Sequence, residues 1–206
     1  MSVSYCVRIV PQEVAKVNLK DVVRFALGHK YVSALQKPTG EQYKLLAHIA
    51  NQIRPGAIVW DVGTFAGLSA LALSTNERIS VHSYDLVDHI KFSPSIKDIL
   101  HITHKIRNCL DDIDCVKDIP LIVLDIDPHD GVAEMNLYYR LKEAGFRGLL
   151  FCDDIHLNHG MNTFWNFVTH KKIDLTDLGH RTGSGIIIFD ESFIDAKLGE
   201  SSSDDC

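Results

Sequence analysis

The sequence predicts an α/β fold: a doubly wound, mostly parallel seven-stranded sheet with an antiparallel edge strand and helices on both faces. The first observation is a series of short apolar runs. A run that is apolar on both faces is typical of a parallel strand covered by helices on each side. The second is that helical patterns lie between several of these runs. The four clearest runs are "AIVW" (57–60), "ISVHSY" (79–84), "LIVL" (121–124) and "GLLFC" (148–152).

The third observation concerns the last two apolar segments, "KIDLTDL" (172–178) and "SGIIIFD" (184–190). The linker between them is too short for a helical crossover, which parallel neighbours would need. We therefore expect an antiparallel pair at the edge of the sheet. The small residues in "HRTGSG", just before the final strand, are interpreted as a tight turn.

Three segments repeat apolar residues at helical spacing and are predicted to be helices: 41–53, 131–145 and 160–170. Segment 86–119 has a less regular pattern. There we expect a loop, a helix near Ser95–His104 and a short strand around Ile106–Asn108.

The chain is predicted to hold one main domain, residues 41–192. Residues 1–40 are expected to form a helical lid or a dimer contact, which makes a homodimer one option. Residues 193–206, with the small polar sequence "GESSSDDC", are expected to be a disordered tail.

Composition narrows the class of protein. The 206 residues carry a net charge of −6 without a Lys/Arg block, which argues against nucleic acid as the main partner. No stretch approaches the roughly 20 apolar residues that cross a bilayer. The five cysteines form no CxxC motif and are read as reduced thiols of a cytoplasmic protein.

Acidic residues follow the strong strands. Asp61, Asp85, Asp125 and Asp153 each stand directly after one of the four runs. The carboxyl ends of parallel strands lie along one edge of a sheet, where ligands bind. Helix capping accounts for one such acid, but four of four predict a shared ligand crevice.

The turn after the first run, "DVGTFAGLS" (61–69), has two glycines four residues apart. Glycine permits positive φ and close approach of a ligand to the backbone. No Gly-Lys-Ser/Thr follows, so the turn is not a P-loop, and the spacing differs from the GxGxxG dinucleotide pattern. An acid before the glycines points to a ligand with a cationic part, and Asp85 suits two ribose hydroxyls.

This combination resembles the class I methyltransferases that use S-adenosylmethionine (SAM), with a Rossmann-like sheet. "DVGTFAGLSALAL" is similar to the catechol and caffeoyl-CoA O-methyltransferase version, and the resemblance spans roughly Glu41 to Asp190. It assigns seven residues to the cofactor. They are Gly63, Phe65 and Gly67 along the methionine part, Ser69 at its carboxylate, Asp61 at its ammonium, Asp85 at the ribose and Asn108 near the adenine.

A second constellation combines "LDIDPHDG" with "FCDDIHLNHG". Adjacent strand ends are about 5 Å apart, so Asp125, Asp153 and Asp154 would crowd together unless a cation neutralises them. Oxygen ligands favour Mg²⁺, Mn²⁺ or Ca²⁺. Metal-dependent O-methyltransferases, and the macrocin type in particular, carry acids at matching positions, which makes these three the expected metal ligands.

The resemblance implies that a metal-bound acceptor hydroxyl loses its proton near Asp125 and attacks the sulfonium methyl. Catechol-type enzymes place a lysine three residues after the metal aspartate, whereas this chain has Pro128. His129 is the nearest substitute as the catalytic base, followed by His156 and His159. The acceptor is left open as a small molecule: a sugar diol, a polyketide-type natural product or a phenol.

Three rival functions stay open at this stage. "LDIDPHDG" also resembles the first motif of haloacid dehalogenase-type phosphatases, although the spacing to "CDD" is short for that family. A glycosyltransferase could use the Asp-x-Asp as a metal motif, but it leaves the glycine turn without a role. A non-catalytic methyltransferase fold that only binds a ligand is the third.

Overall fold

The computed structural model describes residues 6–26, 31–37, 39–90 and 99–195. Its strands are β1 (Val7–Arg8), β2 (Ile58–Val62), β3 (Ser80–Asp85), β4 (Ile102–Ile106), β5 (Leu121–Leu124), β6 (Leu149–Asp153), β7 (Lys171–Asp174), β8 (Ser184–Ile188) and β9 (Ile194–Asp195). Its α-helices are α1 (Pro11–Lys16), α2 (Lys20–Val23), α3 (Tyr43–Ala50), α4 (Leu68–Leu73), α5 (Val132–Glu143) and α6 (His159–Phe167). Short 3₁₀ helices cover Arg24–Ala26, Val32–Gln36, Cys109–Asp118 and Glu191–Phe193.

Seven strands form one sheet in the order β4-β3-β2-β5-β6-β8-β7. The first five are parallel neighbours, whereas β8 runs antiparallel to both β6 and β7. The predicted fold class and the antiparallel pair at the edge are confirmed. Because the chain builds outward from β2 on one side and from β5 on the other, the strand order reverses between β2 and β5. Such a switch point is where open α/β sheets bind ligands.

The two faces of the sheet bury different cores. Val59 and Val123 point to a core formed with α3 and α4. Trp60 and Ile122, their neighbours along the same strands, point to a core formed with α5 and α6. Because successive strand residues face opposite sides, one continuous apolar run serves both cores.

The N-terminal segment packs onto the α3–α4 face. That core buries Val14 of α1, Val22 of α2 and Leu35 of the 3₁₀ helix Val32–Gln36. β1 pairs in parallel with β9 in a separate two-stranded sheet. The lid or dimer role expected for residues 1–40 stays a prediction, and residues 1–5, 27–30 and 38 lie outside the described residues.

The region before β5 differs from its prediction. The strand is Ile102–Ile106, so the expected helix is wrong over residues 102–104, and its residues 95–98 lie outside the described ones. The prediction placed this strand too late in the chain, at Ile106–Asn108, whereas β4 ends at Ile106. β4 stands at the edge of the sheet, where buried Ile102 is followed by exposed Thr103. Such half-polar alternation does not give the continuous apolar run of a central strand.

The predicted tail began at residue 193, but Ile194 and Asp195 form β9. The tail from residue 196 lies outside the described residues. Among the helices that the structure describes, none combines the length and apolar character that crossing a bilayer requires.

Candidate active site

A cleft of about 580 Å³ opens at the carboxyl ends of the parallel strands. Val62 and Gly63 line it from the end of β2, and Asp125 and Ile126 from the end of β5, so it lies at the switch point of the sheet. Leu137 of α5 belongs to its wall. The volume falls within the roughly 300–1,000 Å³ of small-molecule sites.

The cleft collects about half of the residues predicted for function. Six of them line it: Gly63, Phe65, Asp85, Asn108, Asp125 and His129. The lining does not include the other five, which are Asp61, Gly67, Ser69, Asp153 and Asp154. The ribose and adenine positions of the predicted cofactor site therefore face the cleft, whereas the ammonium and carboxylate positions do not.

The turn of residues 63–67, here called the glycine turn, needs its first glycine for packing. Gly63 has φ +86°, and a Cβ at this position would lie 1.8 Å from the carbonyl oxygen of Asp125. The glycine therefore lets β2 and β5 end against each other. Ligand approach was the predicted reason, but the backbone of Asp125 occupies that space. Gly67, with φ +84°, precedes the first turn of α4.

Asp61 is a buried acid within β2. Its side chain is on the same face as Val59, and only 1% of the residue is exposed. Neither carboxylate oxygen has a hydrogen-bond partner of normal geometry. Burial raises the pKa of Asp61 to about 6, and the nearby hydroxyls of Thr64 and Ser69 hold this rise down. A buried carboxylate without a strong partner is costly, which makes Asp61 a candidate for a cationic ligand.

Asp85 lines the cleft and accepts hydrogen bonds from two backbone N–H groups of residues that also line it. Its Oδ2 accepts the backbone N–H of Phe65 at 2.8 Å, and its Oδ1 accepts that of Val87 at 3.1 Å. The Phe65 residue is 46% exposed, and its ring centroid lies 4.9 Å from that of His89. Each carboxylate oxygen offers about two acceptor sites, so Asp85 can accept hydroxyl hydrogens in addition.

Asn108 is a helix cap. It stands two residues after β4, and its Oδ1 accepts the N–H of Leu110 at 2.9 Å at the start of the 3₁₀ helix. Below it, the buried Tyr84 hydroxyl donates to Asp112 at 2.8 Å, and Lys105 donates to the same carboxylate at 2.8 Å. This network holds the 3₁₀ helix against β3 and β4, which places Asn108 at the cleft.

The three predicted metal acids, here called the acid cluster, fall into two overlapping groups. One group brings Asp125, His129 and Asp154 within 4.8 Å of one another, and the other brings Asp153, Asp154 and His180 equally close. The burial of Asp125 and the charges on Asp153 and Asp154 raise its pKa well above the usual value. The three acids are therefore close together at this edge of the sheet, as expected from the sequence.

His180 is a cation inside the acid cluster that the sequence analysis missed. Its Nδ1 lies 3.2 Å from Asp153 Oδ2 and 3.1 Å from Asp154 Oδ1. These hydrogen bonds raise the pKa of His180 to about 10, so the imidazole is charged at neutral pH. Burial alone would raise the pKa of Asp154, but hydrogen bonds from His180 and Thr182 outweigh it and lower the pKa.

His129 faces the same acids from the other side. Its Nε2 lies 3.8 Å from Asp125 Oδ1 and 3.7 Å from Asp154 Oδ2. The other two histidines considered as a base have different surroundings. Nε2 of His156 lies 2.6 Å from the Asp174 carboxylate, and His159 is exposed at the start of α6. Neither is a lining residue of the cleft.

No family model and no curated protein sequence matches the chain. Solved structures do match its fold. A methyltransferase from Geobacter sulfurreducens has a TM-score of 0.55 at 16% identity, over 71% of this chain and 77% of that one. A proposed caffeoyl-CoA O-methyltransferase from Staphylococcus aureus has a TM-score of 0.56 at 13% identity, over 84% and 92%.

A third match is an O-methyltransferase from Bacillus cereus in complex with SAH, with a TM-score of 0.52 at 12% identity, over 82% of this chain and 90% of that one. The chain thus shares its fold with solved methyltransferases across most of their length. Because the identities are low, the likeness extends to the fold and not to individual residues.

Proposed function

We propose that this protein transfers the methyl group of SAM to a hydroxyl group of a small molecule, with the help of a divalent cation. The observation that carries the proposal is the position of the cleft. It opens at the switch point of a methyltransferase-type sheet, between the glycine turn and the acid cluster. Methyl donor and acceptor would meet where these two features face each other.

Residues of β2 and β3 would hold the donor. Asp85 has acceptor capacity left for the ribose hydroxyls, and Asn108 faces the adjoining part of the cleft. Asp61 lies beneath the glycine turn as a buried carboxylate without a good partner, which suits the ammonium of a methionine moiety. When bound, SAM supplies a methyl group that is activated by its positive sulfur. The solved Bacillus cereus O-methyltransferase, which contains SAH, supports this choice of cofactor.

The acid cluster fits a divalent cation by its donor set. Three carboxylates meet there: those of Asp125, Asp153 and Asp154. Among the described residues, His180 pairs with the carboxylates of Asp153 and Asp154, within 3.2 Å, but has no such ion pair with Asp125. Burial and the nearby Asp153 and Asp154 raise the pKa of Asp125, and a bound cation would favour its ionised form. A cation bound to such oxygens lowers the pKa of an acceptor hydroxyl. Asp125 lines the cleft and would present the acceptor to the methyl group.

His129 stands beside Asp125, where its Nε2 would either accept the proton of the acceptor hydroxyl or bind the cation. One nitrogen cannot do both at once, because each role uses the same lone pair. A sugar, a natural product or a phenol satisfies the acceptor chemistry equally.

The phosphatase alternative needs Asp127 to face Asp125 as an acid, but the Asp127 side chain is 96% exposed. The glycosyltransferase and binding-module alternatives make different demands on the same cleft. The former requires a nucleotide sugar, and the latter requires binding without turnover.

Calorimetric titration of SAM and SAH tests the proposal. We expect saturable binding to the wild type and at least about tenfold weaker binding to Asp85→Asn, since one acceptor of two hydroxyls is lost. Asp177→Asn, an exposed substitution away from the cleft, is the matched control and should bind like the wild type.

Equal affinities in Asp85→Asn and the wild type would place the ligand elsewhere. A protein that binds neither compound is not a SAM-dependent methyltransferase, and phosphate release and nucleotide-sugar binding would then be measured.

A further inference from the structure

We propose that the cation site consists of Asp125, His129 and Asp154, and that its imidazole ligand makes it a site for a transition-metal ion rather than for Mg²⁺ or Ca²⁺. This inference rests on the proposed function for the role of the ion, but its geometry stands on the described residues alone. It replaces Asp153 of the predicted ligand set with His129.

Three ligand atoms converge at the carboxyl ends of β5 and β6, next to the cleft. His129 Nε2 lies 3.8 Å from Asp125 Oδ1 and 3.7 Å from Asp154 Oδ2, and all three residues offer atoms within 4.8 Å of one another. Ligand atoms about 2.1 Å from one ion lie roughly 3.0 to 4.2 Å apart. The two His129 distances already fall within this range. Because Asp125 and His129 also line the cleft, an ion bound here would be within reach of an acceptor.

Asp153 is occupied elsewhere. Its Oδ2 accepts a hydrogen bond from Gln42 Nε2 at 2.9 Å, and its Oδ1 accepts one from the Ser184 hydroxyl at 3.1 Å. His180 lies 3.2 Å from Oδ2 on the same side. Only 3% of Asp153 is exposed. This acid therefore serves as the counter-charge of His180 inside the protein, whereas Asp154 is placed between His180 and His129.

The backbone around His129 is fixed by the neighbouring loop. Asn158 donates from its side-chain amide to the carbonyl oxygen of His129 at 2.7 Å and accepts the N–H of Met161 at 3.0 Å. The loops also touch at Gly160, where a Cβ would lie 2.0 Å from the carbonyl oxygen of Asp130. His129 is thereby held to the same loop that leads from Asp154 into α6.

A second buried acid lies near enough to His129 to be influenced by its charge. Glu134, in the first turn of α5, is 2% exposed, and neither of its carboxylate oxygens has a hydrogen-bond partner of normal geometry. Burial raises the pKa of Glu134, and the charge of the nearby His129 opposes this rise. Glu134 makes no hydrogen bond to the His129 ring, so the proposal rests on the distances among Asp125, His129 and Asp154.

The mixed donor set determines the preferred ion. Carboxylates suit Mg²⁺, Ca²⁺ and Mn²⁺, whereas an imidazole suits Fe²⁺, Ni²⁺, Cu²⁺ and Zn²⁺. Two carboxylates with one imidazole therefore favour a transition-metal ion over Mg²⁺, and Mn²⁺, which binds most weakly of these ions, is the most stringent test of that preference. Asp127 Oδ1 also lies 3.5 Å from His129 Nε2, but its side chain is 96% exposed, so water competes for it.

Electron paramagnetic resonance (EPR) of Mn²⁺, titrated into the full chain, tests the proposal without any methyl transfer. We expect Mn²⁺ to bind at least about tenfold more tightly than Mg²⁺ in competition. Pulsed EPR should detect a nitrogen coupled to the bound ion. That signal should vanish in His129→Asn, a substitution chosen because asparagine tolerates the φ of +56° at this position.

Two control variants distinguish the ligand sets. His89→Asn removes another histidine of the cleft, and Asp153→Asn removes the predicted ligand. Both should keep the nitrogen signal, and His89→Asn should keep an affinity within about twofold of the wild type, whereas Asp125→Asn should lose Mn²⁺ binding.

A nitrogen signal that persists in His129→Asn, or Mn²⁺ binding lost in Asp153→Asn but kept in His129→Asn, would overturn this assignment. Equal affinity for Mg²⁺ and Mn²⁺, or no binding of either ion, would overturn it as well. SAM titration is independent of these outcomes: a protein that binds SAM but not Mn²⁺ keeps the methyltransferase proposal and loses this one.

Discussion

The two sides of the cleft hold their acids by different means. On the side of β2 and β3, Asp61 has no hydrogen-bond partner of normal geometry, and Asp85 accepts one backbone N–H from Phe65 of the glycine turn and one from Val87 just after β3. On the side of β5 and β6, Asp153 and Asp154 share the His180 cation. The hydrogen-bond partners on the first side are backbone N–H groups, and the partner shared on the second side is a charged side chain.

This difference separates what each side can bind. An acid without a strong internal partner is ready for a cationic or hydroxyl-bearing ligand, because binding replaces the lost hydration. An acid such as Asp153, whose two oxygens both accept hydrogen bonds inside the protein, contributes less to a ligand. Asp154 and Asp125, which also face His129, are the acids on that side that remain suited to an ion.

The largest expected loss of stability comes from a substitution at Gly63, where the ends of β2 and β5 are in contact. Gly63→Ala should destabilise the protein by about 4 kcal/mol, because its Cβ would meet the Asp125 carbonyl and its φ is positive. Gly56→Ala is the matched control. It also has a positive φ, of +77°, but a Cβ there has nothing within 4 Å, so about 1 kcal/mol is expected. Urea denaturation measures both, and equal losses would show that the two sides do not depend on this contact.

Removing the His180 cation should leave the acid cluster without its internal counter-charge. His180→Gln leaves Asp153 and Asp154 without their shared charge, which should destabilise the fold by about 3 kcal/mol. His156→Gln breaks an ion pair with Asp174 that is far more exposed, so a loss below about 1 kcal/mol is expected. Thermal and urea denaturation would contradict the account if the two variants were equally stable.

Asp61→Asn should stabilise the protein while it weakens SAM binding. The pKa of Asp61 in the folded state is about 6, above its ordinary 3.8. Its contribution to stability is therefore present below about pH 4 and is lost as the pH rises through 6. The advantage of Asp61→Asn over the wild type should grow by about 2 kcal/mol between about pH 4.5 and pH 7. A pH-independent difference in the free energy of unfolding would mean that Asp61 is not a strained buried acid.

The smallest expected effect concerns the loop that holds His129. Asn158→Ala removes both the cap of α6 and the hydrogen bond to the His129 carbonyl, which should cost about 1 kcal/mol of stability. Mn²⁺ affinity should fall several-fold as well, since a less ordered ligand binds more weakly. Thr163→Ala, an exposed substitution in the same helix, is the control and should leave Mn²⁺ affinity unchanged. An Asn158→Ala protein with full Mn²⁺ affinity would remove Asn158 from the site.

The sequence predicted the fold well because its central strands are continuous apolar runs that end in acids. The edge strand β4 was misplaced because its exposed face is polar, so its pattern is weaker. The glycine turn was recognised from a local motif, although the reason for Gly63 proved to be packing against Asp125.

The partners of the acid cluster were not predictable from local patterns. Gln42 is 111 residues from Asp153, and His180 belongs to a segment whose small residues indicate only a turn. Only the folded chain brings them to the end of β6. For the same reason, the sequence alone could not show that His129 and Asp153 lie on opposite sides of Asp154.

A crystal structure of the protein grown with SAH and Mn²⁺ tests the central claim most directly. The account predicts SAH in the cleft at the switch point, with its ribose on Asp85, and one metal ion bound by Asp125, His129 and Asp154. SAH bound away from the glycine turn, or an empty cleft at saturating SAH, would contradict it.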